Sequence, residues 1–246
     1  MLTPRIFVGM HAPPSRGADY ALGEAAARHV AQALRMRVGD RLALFTGEGG
    51  EFTAAIARID RAGVVVRVER HDAVEREAPI PLVLVQAVIA SDMMDLVVRK
   101  AVELGAAAIV PVQCARSQGL PQARVARRAQ HWRQIAVAAC EQCGRNRVPD
   151  VADVLPFAQW LAGVDVDAQR IAMLQAGAAN SLAHVARGTG LRGVAVGPEG
   201  GFAPEEVAAA AERGLSLAHL GARVLRAETA AIAALATVNA TAGDAA

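Results

Sequence analysis

The feature that most constrains the fold is a series of wholly apolar strands that alternate with helices in the second part of the chain. The pattern predicts strands at 82–88, 107–112, 170–174, 193–196 and 217–220, and helices at about 92–104, 121–142 and 228–241. Strands that are apolar on both faces are typical of a parallel sheet that helices cover on both sides. We therefore predict an α/β domain.

The first 72 residues have a different pattern. Short alternating or apolar runs predict strands at 5–8, 41–45, 51–57 and 63–68, with one helix at about 23–36. Such strands close most naturally into a small barrel, in which the glycine-rich stretch 46–50 is a hairpin turn. The charged segment 70–81, with its two prolines, indicates a linker. We expect one domain at 1–72 and a second at 73–246.

Composition excludes several classes of protein. Apolar residues make up 53% of the chain, but no stretch approaches the roughly 20 that a membrane helix needs. The first residues lack the features of a signal peptide, so we expect a soluble cytoplasmic protein. Three cysteines are too few for a disulfide framework. Cys140 and Cys143 have a C-x-x-C spacing without a second pair or a histidine cluster, and we predict no metal site.

The charge distribution points to an anionic partner. The net charge is only +2, yet the stretch from Arg116 to Arg147 holds seven arginines and one acid, Glu141. A solvated helix face is the alternative explanation. Because arginine makes bidentate contacts to phosphate and stacks on bases, we favour contact with nucleic acid.

Three loops follow predicted strands, at the sheet edge where ligands bind in parallel α/β proteins. They read LQAG at 174–177, GPEGGF at 197–202 and GARVLRAETA at 221–230. None fits the dinucleotide G-x-G-x-x-G pattern or the phosphate-binding G-x-x-x-x-G-K-[ST] pattern. Glycines let the backbone approach a flat ligand, and Glu199 stands where a phosphate site would place a cation. The pattern favours a cationic nucleoside over a nucleotide.

GPEGGF followed by LGARVLRAETA at 220–230 resembles the RsmE family, which belongs to the SPOUT methyltransferases and methylates N3 of a uridine in 16S ribosomal RNA. Further matching pieces are RIF at 5–7, LRMRVGD at 34–40, KAVELG at 100–105, RS at 116–117 and EQCGR at 141–145. The resemblance implies a PUA-like β-barrel before a SPOUT-type parallel-sheet domain with a trefoil knot. It also implies a homodimer with the cofactor sites at its interface.

The resemblance further implies the cofactor, the substrate and the site residues. The cofactor is S-adenosylmethionine, and the partner is small-subunit ribosomal RNA or the assembled subunit. The residues expected to bind the cofactor are Leu174, Gly197, Pro198, Glu199, Gly200, Gly201, Leu220, Gly221, Val224, Leu225, Arg226, Thr229 and Ala230. The catalytic candidates are Arg116, Glu141, Arg145 and Arg226, with Glu141 or Glu199 as the base. The RNA-binding candidates are Arg5, His29, Arg35, Arg116, Arg124 and Arg145.

The chain departs from the family at three of these motifs. Ala203 stands where the family usually has serine or threonine, so we expect a helix without its N-terminal side-chain cap. Ala115 replaces a common glutamate, and Cys143 replaces a small polar residue.

Three alternatives stay open at this point. The first is a SPOUT enzyme that acts on a ribose hydroxyl or on transfer RNA. The second is a non-catalytic RNA-binding protein of the PUA type. The third is a nucleotide-dependent enzyme, which the absence of lysine from the glycine loop disfavours.

Overall fold

The computed structural model describes residues 3–9, 14–119 and 122–242. The chain divides into two compact units, of which the first comprises Met1–Glu77 and Cys140–Val148 and the second Ala78–Ala139 and Pro149–Ala246. The sequence pattern gave no sign that Cys140–Val148 belongs with the first unit. Within the described residues, no helix combines the length and the apolarity that a bilayer crossing requires.

The first unit is built on a five-stranded sheet. Its strands are β1 (Arg5–Phe7), β2 (Asp19–Ala21), β3 (Arg41–Phe45), β4 (Glu51–Asp60) and β5 (Gly63–Asp72). Their order is β1-β3-β4-β5-β2, with β1 parallel to β3 and the other neighbours antiparallel. Four of the strands match the predicted runs, whereas the short β2 was missed. Two register shifts in the β4–β5 pair mark bulges, which bend and twist a sheet locally.

The predicted helix at 23–36 is shorter in the structure and changes type. It begins as α1 (Glu24–Arg28) and continues as a π-helical turn, His29–Ala33. Ala27 and Val30 face inward and pack with Leu42 and Val66 of the sheet in one hydrophobic core. The period-2 burial of β3 and β5 therefore decides which face of the sheet this short helix covers.

The segment Cys140–Val148 is joined to the first unit by main-chain and side-chain bonds. The amide of Val148 donates to the oxygen of Gly47 at 3.1 Å, and the amide of Gly49 donates to the oxygen of Asn146 at 3.2 Å. Both glycines have positive φ, as a tight connection between β3 and β4 requires. The predicted hairpin turn at 46–50 is confirmed, and it also binds this distant segment.

The second unit contains eight strands and seven helices among the described residues. Its strands are β6 (Val83–Ala87), β7 (Ala108–Gln113), β8 (Asp150–Val151), β9 (Leu155–Pro156), β10 (Ile171–Leu174), β11 (Asn180–Ser181), β12 (Gly193–Val196) and β13 (Ser216–His219). Its helices are α2 (Ser91–Glu103), α3 (Gln122–Cys143), α4 (Phe157–Gly163), α5 (Val166–Gln169), α6 (Leu182–Thr189), α7 (Pro204–Glu212) and α8 (Ala227–Ala242), of which α3 ends in the first unit.

The strands of the second unit form one parallel sheet, in the order β11-β13-β10-β12-β6-β7-β8, with β9 also paired to β7. Helices α4 and α7 pack on one face, where Phe157, Trp160 and Ala210 share a core with Val85 and Met173. On the other face α8 contacts β6, β12, α2 and α6. The predicted parallel sheet with helices on both sides is confirmed, and its long elements match the sequence pattern.

Candidate functional site

The site lies at the carboxyl edge of the parallel sheet. The neighbouring strands β13, β10 and β12 run parallel, so the loops that follow them leave the sheet at the same edge. These three loops line one cavity of about 680 Å³. Its lining residues are Arg116, Leu174, Gln175, Ala176, Gly177, Ala178, Val196, Gly197, Pro198, Glu199, Gly200, Gly201, Phe202, Ala218, His219, Leu220, Gly221, Ala222, Arg223, Val224, Leu225, Ala227 and Ala230.

Most of the residues predicted for the cofactor line this cavity together. They are Leu174, Gly197, Pro198, Glu199, Gly200, Gly201, Leu220, Gly221, Val224, Leu225 and Ala230. Arg226 and Thr229 are absent from the lining and lie at the junction of the last loop and α8, both exposed. The glycine loop and the C-terminal loop, which are well separated in sequence, thus meet in one space.

The loop after β12 is a tight turn packed against the core. The amide of Gly201 donates to the oxygen of Pro198 at 2.8 Å, and the φ of +69° at Gly201 favours glycine. A β-carbon on Gly197 would lie 3.0 Å from the ring and 3.1 Å from the amide nitrogen of Phe202. Phe202 is buried against Phe157, with ring centroids 5.4 Å apart. The core therefore fixes the path of this loop.

Arg116, which follows β7, is hydrogen-bonded to the glycine loop. Its guanidinium donates to the main-chain oxygens of Gly200 at 2.9 Å and Phe202 at 3.4 Å. The side chain is exposed, and no carboxylate partner is recorded for it within the described ranges. The guanidinium of Arg116 therefore lies at the rim of the cavity. It has five N–H donors, of which the two bonds to the loop use only part.

The other two loops are also held by main-chain bonds. The amide of Gln175 donates to the oxygen of Ala218 at 2.8 Å, which links the loop after β10 to β13. The amide of Gly221, which has a φ of +107°, donates to Nδ1 of His219 at 2.9 Å. Val224 lines the cavity and is 89% exposed.

Glu199 contributes the acid of the glycine loop. Its Oε1 accepts a hydrogen bond at 3.2 Å from the amide of Ala90, the residue that precedes α2. The side chain lines the cavity and is exposed. A carboxylate there attracts a cationic ligand and repels an anionic one.

The helix that follows the glycine loop lacks half of its N-terminal cap. Ala203 is the N-cap of α7 and offers no side-chain acceptor, as the sequence predicted. The reciprocal half is present, because Oε2 of Glu206 accepts from the amide of Ala203 at 2.8 Å. The other oxygen of Glu206 accepts from the amide of Ala115 at 2.8 Å. One glutamate thus joins α7 to the loop that carries Arg116.

Three other predicted residues have their partners in the first unit. Arg145 is 4% exposed and forms an ion pair with Glu77, to which its Nε donates at 3.0 Å. Glu141 accepts from the amide of Phe7 at 3.0 Å. Arg5 binds Glu51, Oδ1 of Asn146 and, at 3.1 Å, the oxygen of Arg145. Their catalytic and RNA-binding roles stay predictions.

The remaining RNA-binding candidates are exposed. His29 lies at the start of the π-helical turn, and Arg35 follows it with a φ of +53°. Arg124 lies in the first turns of α3.

Cys140, one half of the C-x-x-C spacing, is buried, and burial raises the pKa of its thiol to about 12. A thiol held in its protonated form is a poor nucleophile and a poor metal ligand.

Sequence reasoning missed several residues of the cavity. Gln175, His219 and Arg223 line it with polar groups, and Phe202 and Ala227 with buried apolar ones. The signal was present, because each follows or ends a predicted strand at the carboxyl edge or begins the next helix. Arg116 was predicted as a catalytic and RNA-binding candidate, and its contact with the glycine loop had no sequence signal.

Comparison with known families and relatives agrees with this geometry. Residues 76–239 match a family described as the RNA methyltransferase domain, and residues 22–69 match the RNA methyltransferase PUA domain. Ribosomal RNA small subunit methyltransferase E of Mycobacterium tuberculosis is 33% identical over 215 residues, which cover 85% of this chain and 82% of that protein. The enzyme of the same name from Bacillus subtilis is 30% identical over 220 residues, 86% of each chain.

Two solved structures resemble the whole chain. A methyltransferase of Legionella pneumophila in complex with S-adenosylmethionine has a TM-score of 0.90 and 33% identity, and the match covers 98% of both chains. Ribosomal RNA small subunit methyltransferase E of Neisseria gonorrhoeae, bound to S-adenosylmethionine, has a TM-score of 0.89 and 31% identity, and the match covers 97% of this chain and 98% of that one.

Proposed function

The chain belongs to the ribosomal RNA small subunit methyltransferase E family, and from this premise we propose that it methylates N3 of a uridine in 16S ribosomal RNA with S-adenosylmethionine. The family predicted from the sequence motifs is confirmed, as is an α/β methyltransferase unit with a PUA-type N-terminal unit. The observation that carries the proposal is the single cavity formed by the loops after β10, β12 and β13.

The cavity suits this cofactor in size and in the chemistry of its lining. About 680 Å³ lies within the usual range of roughly 300–1,000 Å³ for small-molecule sites. Leu174, Val196 and Leu225 give apolar walls for a planar base, while the glycines leave main-chain groups accessible. Glu199 supplies the negative charge that a sulfonium or ammonium group favours. Gly201 and Gly221 adjoin open space, so a ligand can approach their backbone closely.

S-adenosylmethionine, when bound, would supply a sulfonium methyl group to which a nucleophile can bond in line, with S-adenosylhomocysteine leaving as a neutral thioether. The uracil imide is weakly acidic, so the enzyme must accept its proton and stabilise the negative charge that develops. Arg116 stands at the cavity rim with unused donors and is our first candidate for that stabilisation. Arg226, exposed beside the last loop, is the second candidate and could instead hold a phosphate of the substrate.

Glu199 is our candidate proton acceptor, because it lines the cavity with a carboxylate. One of its oxygens accepts from the amide of Ala90, and we propose that the second oxygen accepts the proton. Glu141 and Arg145 are bound within the first unit, where Arg145 contacts Glu77 and Glu141 contacts the amide of Phe7. We propose that these two position the Cys140–Val148 segment.

Further properties complete the proposal. We propose that the protein is a cytoplasmic homodimer and that a trefoil knot forms the cofactor loops. Its substrate is ribosomal RNA or the assembled small subunit. His29, Arg35 and Arg124 are exposed and remain our candidates for RNA contact. Sedimentation of the pure protein should give twice the monomer mass of 25.5 kDa.

The test is methyl transfer to defined RNA. The protein is incubated with methyl-labelled S-adenosylmethionine and either small ribosomal subunits or 16S RNA from a strain that lacks the gene, and the modified nucleoside is identified by mass spectrometry. We expect 3-methyluridine at one position. A methylated ribose or label only in transfer RNA would favour another SPOUT activity. Cofactor binding without transfer to any RNA would contradict the proposal.

A further inference from the structure

Helix α3 carries a set of basic side chains on one face that the cofactor cavity does not use. Arg124, Arg127, Arg128 and His131 follow the spacing i, i+3, i+4 and i+7, which places them along a single face of a helix. Arg124, Arg127 and His131 are exposed, and Arg128 is half-buried. We call these four residues the α3 basic face.

The α3 basic face lies beside the first turns of α2. Arg128 donates to Oγ of Ser91, the first residue of α2. Nε2 of His131 is hydrogen-bonded to Oδ2 of Asp95, one turn further along, at 2.9 Å. The two contacts join the second and third turns of α3 to the first two turns of α2 through long side chains. The basic face therefore reaches the sheet edge at which α2 begins.

That edge also holds the rim of the cofactor cavity. The residue before Ser91 is Ala90, whose amide donates to Glu199 of the glycine loop at 3.2 Å. Arg116, in the loop that leads toward α3, donates to Gly200 of the same glycine loop. A continuous set of contacts thus connects Arg128, through Ser91 and Ala90, to the cavity. Arg116 is therefore connected to the glycine loop directly, and Arg128 is connected to it through Ser91 and Ala90.

The charges of this surface are only partly balanced. Of the two acids on the adjoining turns of α2, Asp95 is engaged by His131, and Asp92 is exposed. In the part of the chain that the structure describes, no acidic partner is recorded for Arg124 or Arg127. Arg133, on the opposite side of α3, is paired with Asp153 at 2.8 Å and serves the fold. Unpaired arginines at helical spacing are suited to phosphate oxygens.

We propose that Arg124, Arg127 and Arg128 bind the phosphate backbone of the substrate RNA next to the nucleotide that enters the cavity. The inference rests on the proposed function and adds to it Arg127, Arg128 and the contact of Arg128 with Ser91. The three guanidinium groups offer bidentate donors to phosphate oxygens, so we assign the surface to positioning the strand. Its contribution to affinity is electrostatic and falls with rising salt.

The test measures RNA binding of the full-length protein at several salt concentrations, with 16S ribosomal RNA as the probe. The variant is Arg127→Gln with Arg128→Gln, and the matched control is Arg187→Gln, an exposed arginine on α6. Loss of two phosphate contacts should lower the slope of log K against log salt by about 1.4 for a single strand or about 1.8 for a duplex. Affinity at physiological ionic strength should fall about tenfold or more. The charge-conserving pair Arg127→Lys with Arg128→Lys should keep most of the slope.

Calorimetry with S-adenosylmethionine separates this inference from the proposed function. Unchanged cofactor affinity together with a reduced salt slope supports a phosphate contact. An unchanged RNA affinity and slope in the glutamine variant would overturn the inference, even if the wild-type protein methylates 16S RNA. A parallel loss of cofactor affinity would overturn it as well, because Arg128 would then act on the cavity through Ser91. Failure of the wild-type protein to methylate RNA would refute the proposed function by itself.

Discussion

The guanidinium of Arg116 donates a hydrogen bond to the main-chain oxygen of Gly200 at 2.9 Å, so a side chain from the loop after β7 holds the glycine loop after β12. A second bond reaches Phe202. These bonds fix the loop that forms one wall of the cofactor cavity before any ligand arrives. Preorganisation of this kind lowers the cost of binding.

Replacing Arg116 with methionine should therefore weaken cofactor binding. Hydrogen bonds from charged donors contribute about 1.5–3 kcal/mol when buried, and at this exposed position we expect about 1 kcal/mol, or a fivefold higher Kd. Isothermal calorimetry with S-adenosylmethionine measures the change. Arg187→Met on α6 serves as the control and should bind as the wild type does. An unchanged Kd for Arg116→Met would show that the loop needs no such support.

A methyl group on Gly197 should disturb the same loop from its buried side. In Gly197→Ala the new β-carbon would lie 3.0 Å from the Phe202 ring and 3.1 Å from its amide nitrogen, and both are fixed by the core. Overpacking of this kind costs about 1–3 kcal/mol. We expect a lower melting temperature and at least tenfold weaker cofactor binding.

The matched control for this change is Gly163→Ala. Gly163 ends α4, and a β-carbon there meets no atom within 4 Å. Alanine favours a helix over glycine by up to about 1 kcal/mol, so the control should be neutral or slightly stabilising. If both variants melt and bind alike, packing at Gly197 does not shape the cavity.

The long elements and the cofactor loops could be predicted from the sequence, because their signals are local. Apolar strands at 82–88 and 193–196 and the glycine loop each have a pattern within a few residues. The shared carboxyl edge of parallel strands then brings the loops together without further information. Apart from β10, the short elements from β8 to α6 were missed, because two to eight residues carry too little periodicity.

Long-range pairings had no local signal. Arg5 donates to Asn146, and this contact joins the two chain segments of the first unit, Met1–Glu77 and Cys140–Val148. Neither residue is unusual in its own neighbourhood, so the membership of Cys140–Val148 in the first unit could not be read from patterns. The ion pair of Arg145 with Glu77 likewise had no sequence signal, and the predicted catalytic role of Arg145 stays a prediction.

Restoring a cap at Ala203 should stabilise α7. A serine hydroxyl at this N-cap could accept from the amide of Glu206, whose own side chain already completes the other half of the capping box. Ala203→Ser should raise the free energy of unfolding by about 0.5–2 kcal/mol, as measured by denaturant titration. Ala209→Ser, an exposed position within α7, lacks this bond and should cost about 0.5 kcal/mol. Equal stability of the two serine variants would contradict the capping argument.

The stability of the first unit should fall in acid because of Glu51. Burial alone would raise the pKa of this carboxyl, but hydrogen bonds from Arg76 and Arg5 outweigh burial and lower the pKa below its ordinary value of 4.5. A group with a lowered pKa in the folded state stabilises the protein above the unfolded value and loses that contribution as pH falls through the folded value. We expect the loss to begin below about pH 4.5.

Amide hydrogen exchange in β4 and β5, followed from pH 6 to pH 3 with rates corrected for intrinsic exchange, measures this loss. Glu51→Gln should be less stable at pH 6 and should depend less on pH. Glu69→Gln is the control, because Glu69 pairs with the exposed Arg41 at 3.5 Å and should leave the pH dependence almost unchanged. A wild-type pH dependence in Glu51→Gln would rule out this carboxyl as the cause.

The central claim is that the loops after β10, β12 and β13 together bind S-adenosylmethionine. A crystal structure of the protein grown with the cofactor tests it most directly. The account predicts ligand density between Leu174, Gly200 and Leu225, with the adenine against main-chain groups of the loops. Density in another cavity, or contact with only one of the three loops, would contradict it.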